Sequence, residues 1–200
     1  MVLPTIPIEL KKILMAKEQL SITEFLQLSM PPDSPPSFIN INSYLSTDMP
    51  DSMEPIHFTL LQSIAIPLKE ILDAFKALPD KKIKTSHFES ICIPYLSTSL
   101  HFPLWIMTYW VSLSEVRKSQ MRWKTANKAL QQTISYSLSK LPIRLVPSLI
   151  NVQQALSKIP WSTYLRGFPG DPSVETLTTY MIPNEWLTDV HEAQLLELLR

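Results

Sequence analysis

The 200-residue chain carries 18 Lys+Arg and 18 Asp+Glu, so its net charge is zero and overall charge selects neither a nucleic acid nor an anionic membrane as partner. Its one cysteine excludes an internal disulfide framework and a cysteine-based zinc site. Eighteen prolines beside two glycines point to helices separated by stiff connectors rather than a hairpin-rich sheet, because proline blocks helix interiors and central strands while glycine supplies tight turns. The expected fold class is mainly α, with one long central helix, shorter packed helices and proline-rich irregular connectors.

Residues 1–56 read as mostly irregular, with short helices at about 5–28. Ile6, Leu10, Ile13 and Leu14 form part of a helical stripe, and Ser21 to Glu24 has capping-box spacing, so a second short helix is predicted to begin there. PPDSPPS at 31–37 is an extended connector, and the Asn, Ser, Asp and Pro of 38–56 are turn chemistry. Residues 57–140 are the helical region. Leu60, Leu61, Ile64, Leu68, Ile71, Leu72, Phe75 and Leu78 follow helical spacing over 57–78, with Pro67 either kinking the helix or opening a new one. One further short helix is expected in 86–100.

The long helix is predicted over about 103–138, starting near Pro103. Its first half, LWIMTYWVSL, is apolar nearly all round, as in a buried segment. Its second half has an apolar edge and a basic outer face of Arg117, Lys118, Arg122, Lys124 and Lys128. On a seven-residue repeat Tyr109, Leu113, Val116, Gln120, Trp123, Asn127, Leu130 and Ile134 fall on one seam. The apolar half is expected to organise the core and to receive the helices of 5–28 and 57–78. The basic half is expected to run into solvent as a stalk or docking arm. The seam from Tyr109 to Ile134 is the expected surface for a helical partner or for self-association, with Gln120 and Asn127 setting register. A basic face with Trp123 among it has the make-up of a nucleic-acid contact, but zero net charge and no reading motif favour a solvated face.

Residues 141–182 are expected to hold a short helix, Ser148 to Ile159, and then a linker containing both glycines. The first 50 residues and the 160–183 linker are expected to be poorly packed. From 183 to 200 the chain turns acidic, and a helix is predicted near Thr188 with Leu187, Val190, Leu195, Leu198 and Leu199 as its apolar positions. The sequence stops inside that helix, which raises the expectation that more follows downstream.

Candidate chemistry is sparse. His57, His87, His101 and His191 lack ligand spacing, so neither a metal nor another cofactor is expected. Two glycines cannot build a phosphate loop, a dinucleotide fingerprint or a nucleophile elbow. Cys92, in the apolar run SICIP, reads as a small buried hydrophobe. A reactive thiolate needs a neighbouring base, and His87 five residues earlier is not reliably placed to serve. No apolar run reaches the roughly 20 residues of a bilayer span and no signal layout opens the chain, so an intracellular, soluble protein is expected, nuclear or cytoplasmic.

The run NEWLTDVHEAQLLELL resembles the opening of the catalytic domain of ubiquitin-like-protein-specific cysteine proteases, the SUMO-protease family, through Trp186, Leu187 and Asp189. PLWIMTYWVSLSEVRKSQMRWKTANKAL and IPWSTYLRGFPGDPSVETL look like the helix and linker upstream of that domain in large fungal members, many of them transposon-associated. The resemblance covers about residues 100–200 and makes 183–200 the incomplete start of a protease-like domain. It implies that Trp186 helps clamp the Gly-Gly tail of a modifier and that Asp189 adds to the modifier-binding surface. The family's catalytic histidine, aspartate, glutamine and cysteine lie downstream of Trp-Leu-x-Asp, and only eleven residues follow Asp189 here. The expected function is therefore a catalytically incomplete relative of these thiol isopeptidases, with a ubiquitin-like modifier as partner of the full-length parent. A helical protein-interaction module is the alternative, and weak nucleic-acid binding by the basic face the next.

Overall fold

The computed structural model describes residues 8, 19–35, 40–52, 55–78, 86–96, 100–140, 146–168, 170–185 and 187–198. Among these the protein is mainly α, with seven helices and one small three-stranded sheet. None of the described helices is long and apolar enough to cross a membrane. The helices are α1 (Ile22–Gln27), α2 (Pro55–Ser63), α3 (Lys69–Ala77), α4 (Ile106–Lys140), α5 (Val146–Lys158), α6 (Leu177–Met181) and α7 (Asp189–Leu198). The strands are β1 (Leu45–Ser46), β2 (Ser90–Cys92) and β3 (His101–Pro103), antiparallel in that order.

Two compact units divide the chain: Met1–Lys11 with Ser29–Val116, and Lys12–Leu28 with Arg117–Arg200. The long helix α4 has 35 residues, about 50 Å at 1.5 Å per residue, and contributes its start to one unit and its remainder to the other.

In the first unit, Pro67 falls between two helices, and α3 starts after it at Lys69. Apolar positions of α3 three and four apart, Ile71, Leu72 and Phe75, are buried. Phe75 meets Tyr44 edge-on at 5.9 Å and Trp110 of α4 at 6.4 Å, and Tyr44 meets Trp110 edge-on at 6.2 Å. The short helix expected in 86–100 is instead strand β2, since a helix cannot offer Ile91 to a core while pairing with its neighbours on both sides. β2 aligns Ile91 with Leu45 on one side and with Phe102 on the other, and Ile91 and Phe102 are buried. Pro103 ends β3, so α4 opens three residues later than its expected start.

In the second unit, α1 opens with the predicted capping box. Ser21 N–H donates to Glu24 Oε2 at 2.9 Å and Glu24 N–H to Ser21 Oγ at 3.3 Å. The Ser21 hydroxyl, which donates to Glu24 Oε2 at 2.7 Å, and after it the Ser21 N–H hold the Glu24 carboxyl below its ordinary range. Phe25 is fully buried and stacks on Trp161, ring centroids 4.0 Å apart. Gln120 of α4 is buried and donates to the carbonyls of Phe25 and Leu28, both at 2.7 Å, which satisfies two acceptors left over where α1 ends.

Three expectations are corrected here. The 160–183 segment is packed, not loose: Trp161, Val174, Thr178 and Thr179 are buried. Within the first 50 residues Ile22, Phe25, Ser34 and Tyr44 are buried as well, while most of 1–18 lies outside the described residues. Nor is the second half of α4 a solvated arm, because Trp123, Ala126, Ala129, Leu130 and Ile134 are buried in its own unit. Finally, α7 is inverted relative to its apolar pattern. It buries His191 and Gln194 and exposes Val190, Leu195, Leu196 and Leu198, with Leu187 exposed just before it.

Candidate functional site

The sheet of the first unit places chemistry that sequence spacing hid. Side chains alternate across a strand, so Ile91 and Phe102 facing the core put Cys92 and its cross-strand partner His101 on the opposite face. The Cys92 Sγ lies 3.4 Å from His101 Nδ1, and Ser90 Oγ lies 3.2 Å from the same nitrogen. His101 Nε2 faces Asp48 Oδ2 at 3.6 Å. With the ring proton on Nε2, toward Asp48, Nδ1 is the acceptor for the Cys92 thiol; with it on Nδ1, the Ser90 hydroxyl accepts.

The backbone fixes this row. Asp51 N–H donates to the His101 carbonyl at 2.8 Å and His101 N–H donates to Asp51 Oδ2 at 2.7 Å. Ser46 Oγ accepts from Asp48 N–H at 3.1 Å. Cys92 is half-buried, not the fully buried hydrophobe expected. Burial pushes its thiol up from the ordinary value, a hydrogen bond from Ser46 opposes this, and the Asp48 and Asp51 carboxylates add to it. The base is His101, nine positions after the cysteine, and only strand register brings it there. His87 has no part in the row.

A second candidate lies in the other unit. α1, α4 and α5, with Met181 of α6, enclose a groove of about 390 Å³. Ile22, Trp123 and Leu130 form its buried floor. Thr23 and Gln27 stand one turn apart on α1, Asn127 and Gln131 one turn apart on α4, and Gln153 and Gln154 side by side on α5. Among the described residues the lining has five side-chain amides and no charged residue. The buried Trp123 Nε1 has no hydrogen-bond partner among the described residues.

The sequence-predicted residues divide between these units. Of the seam, Tyr109 and Leu113 are buried in the first unit and Trp123, Leu130 and Ile134 in the second, with Val116 half-buried. The seam is thus the inward face of α4, and Trp123 and Leu130 of it also line the groove. The basic face is also partly engaged. Arg122 Nη2 donates to Glu185 Oε2 at 2.5 Å and to Thr179 Oγ1 at 2.9 Å, and its Nε donates to Thr178 Oγ1 at 2.6 Å. Lys124 Nζ donates to Gln120 Oε1 at 2.9 Å, whereas Lys118 and Lys128 are exposed and Arg117 is half-buried. Trp186 lies outside the described residues; Asp189 is exposed in the first turn of α7, where a carboxylate suits the positive helix end. No cluster of three or more His, Cys, Asp or Glu suited to a metal ion is found among the described residues.

Comparison with family models, with curated proteins and with solved structures found no match.

Proposed function

We propose that the chain is a helical protein-binding module whose groove between α1, α4 and α5 takes an extended, uncharged segment of a partner polypeptide. The observation that carries this reading is the lining: among the described residues, five neutral amides stand above an apolar floor with no charged side chain. Each amide offers both a donor and an acceptor, as a peptide main chain does, and the floor of Ile22, Trp123 and Leu130 accommodates apolar side chains. Selection of displayed peptides on the purified chain, followed by calorimetry of an enriched sequence, tests it. Neutral sequences with spaced apolar residues are expected. Their affinity should change little with salt, and Asn127→Ala with Gln131→Ala should weaken it by about tenfold, the loss of two modest hydrogen bonds. Enrichment of charged peptides with steep salt dependence, or affinity untouched by the double substitution, removes the reading.

The resemblance to ubiquitin-like-protein proteases supplies a second reading, in which the C-terminal segment belongs to a modifier-binding surface through Trp186 and Asp189. What supports it is the start of α7 at Asp189, the aspartate of the Trp-Leu-x-Asp run, with Leu187 exposed beside it. Amide shifts of Leu187 and Asp189 should move when a SUMO-type modifier is titrated in, and spectra that stay unchanged at millimolar modifier end this reading.

A further inference from the structure

We propose that Cys92, His101 and Asp48 form a general-base-assisted thiol that accepts an acyl or alkyl group from neutral or cationic electrophiles and discriminates against anionic ones. This site lies in the first unit and is independent of the groove.

The geometry supplies the parts of an activated nucleophile. Cys92 Sγ is 3.4 Å from His101 Nδ1, which takes the thiol proton in the tautomer with N–H at Nε2, and Nε2 faces the Asp48 carboxylate at 3.6 Å. The backbone of His101 is held by its strand pairing with Cys92 and by Asp51, whose N–H and carboxylate both bond it. Access is open at both ends of the row: Cys92 is half-buried and the Asp48 side chain is 72% exposed. Ser90 shares Nδ1 but is fully buried, so the thiol is the group an incoming molecule meets.

The charged groups near the row decide what it accepts. Asp48 and Asp51 border it and the exposed Glu89 precedes β2. Burial first, and the two carboxylates after it, oppose a standing thiolate at Cys92. The nucleophile therefore forms within the step itself. The S–H bond breaks as the proton passes to His101 Nδ1, and the sulfur pair forms the new S–C bond. The leaving group departs with its bonding electrons, and from a thioester the departing thiolate takes the proton back from Nδ1. The Asp48 carboxylate stabilises the imidazolium in between. The same carboxylates repel an anionic reagent before it reaches the sulfur.

The full chain has one cysteine, so intact mass reports alkylation at Cys92 alone. Rates with iodoacetamide and with iodoacetate are measured from pH 5 to pH 10, for the native chain and for the same chain in denaturant. The native chain should favour iodoacetamide over iodoacetate by about tenfold more than the denatured chain does, on the order expected of carboxylates within a few ångströms. His101→Asn should slow its iodoacetamide reaction and change the pH dependence of the rate. Asp48→Asn should bring the reagent ratio toward the denatured value. A ratio equal in native and denatured chains overturns the proposal. So does a pH profile that a folded His101→Asn variant leaves unchanged. If His101→Asn does not fold, Asp48→Asn decides alone, because its exposed side chain can be changed without disturbing the core, and a ratio it does not move also overturns the proposal.

Discussion

The two units use the same helix in opposite ways. In the first, α4 delivers aromatic bulk: Trp110 closes a cluster with Tyr44 and Phe75, and all three are fully buried. In the second it delivers polar anchors. Gln120 holds the end of α1, Ser119 Oγ donates to Glu175 Oε2 at 2.6 Å, and Arg122 gathers Thr178, Thr179 and Glu185. α7 continues that pattern. The partners of His191 set its tautomer, because Nδ1 accepts from Thr188 N–H at 3.1 Å and Nε2–H donates to the Thr176 carbonyl at 3.0 Å. Gln194 Oε1 accepts from the Tyr180 hydroxyl at 2.9 Å. Apolar burial is non-directional and tolerates repacking, whereas a satisfied polar network admits one arrangement and fails when a member is removed. The first unit should therefore lose stability in proportion to volume removed, and the second in proportion to partners stranded.

Substitutions that sharpen this contrast differ in size. Trp110→Ala should cost about 3–5 kcal/mol, the usual penalty for emptying an aromatic core site. Hydrogen exchange should then show protection lost from α3 and β2 before α1 and α7. Alkaline pH should single out the same unit. Burial raises the Tyr44, Tyr95 and Tyr109 phenols above their ordinary value, and Tyr95 also donates to the Ala65 carbonyl at 2.5 Å. Groups raised in the folded state stabilise it fully below the unfolded value of about 10 and lose that contribution as pH rises through the folded values. Loss of structure above pH about 10 should thus accompany phenolate absorbance and start in the first unit. Tyr180, in the second, is 40% exposed and contributes less.

Arg122→Ala should cost about 1–3 kcal/mol by stranding Glu185, Thr178 and Thr179, with exchange increasing over 174–185 and the first unit unaffected. Ser21→Ala should cost about 0.5–2 kcal/mol through the lost cap, seen as a lowered thermal midpoint. The Glu24 half of that capping box is depressed in the folded state. Its contribution is present above the unfolded carboxylate value and disappears as pH falls through the folded one.

Local chemistry was legible wherever neighbours along the chain decide the outcome. The capping box at Ser21 and Glu24, the amphipathic face of α3, the continuity of α4 and the helix after Thr188 all follow from spacing within a few residues. The seam residues were legible as one face of α4, but what covers that face depends on segments up to about a hundred positions away. Gln120 shows this best: its seam position is local, while its bonds to Phe25 and Leu28 span 95 and 92 residues.

Sequence alone thus settled a proline-punctuated, mainly α chain organised on one long helix, because helix formation and termination are short-range events. Only tertiary structure decided that this helix serves two cores, that α7 turns its polar residues inward, and that His101 rather than His87 stands beside Cys92. Strand register and side-chain satisfaction are set between distant segments, and no spacing along the chain encodes them directly.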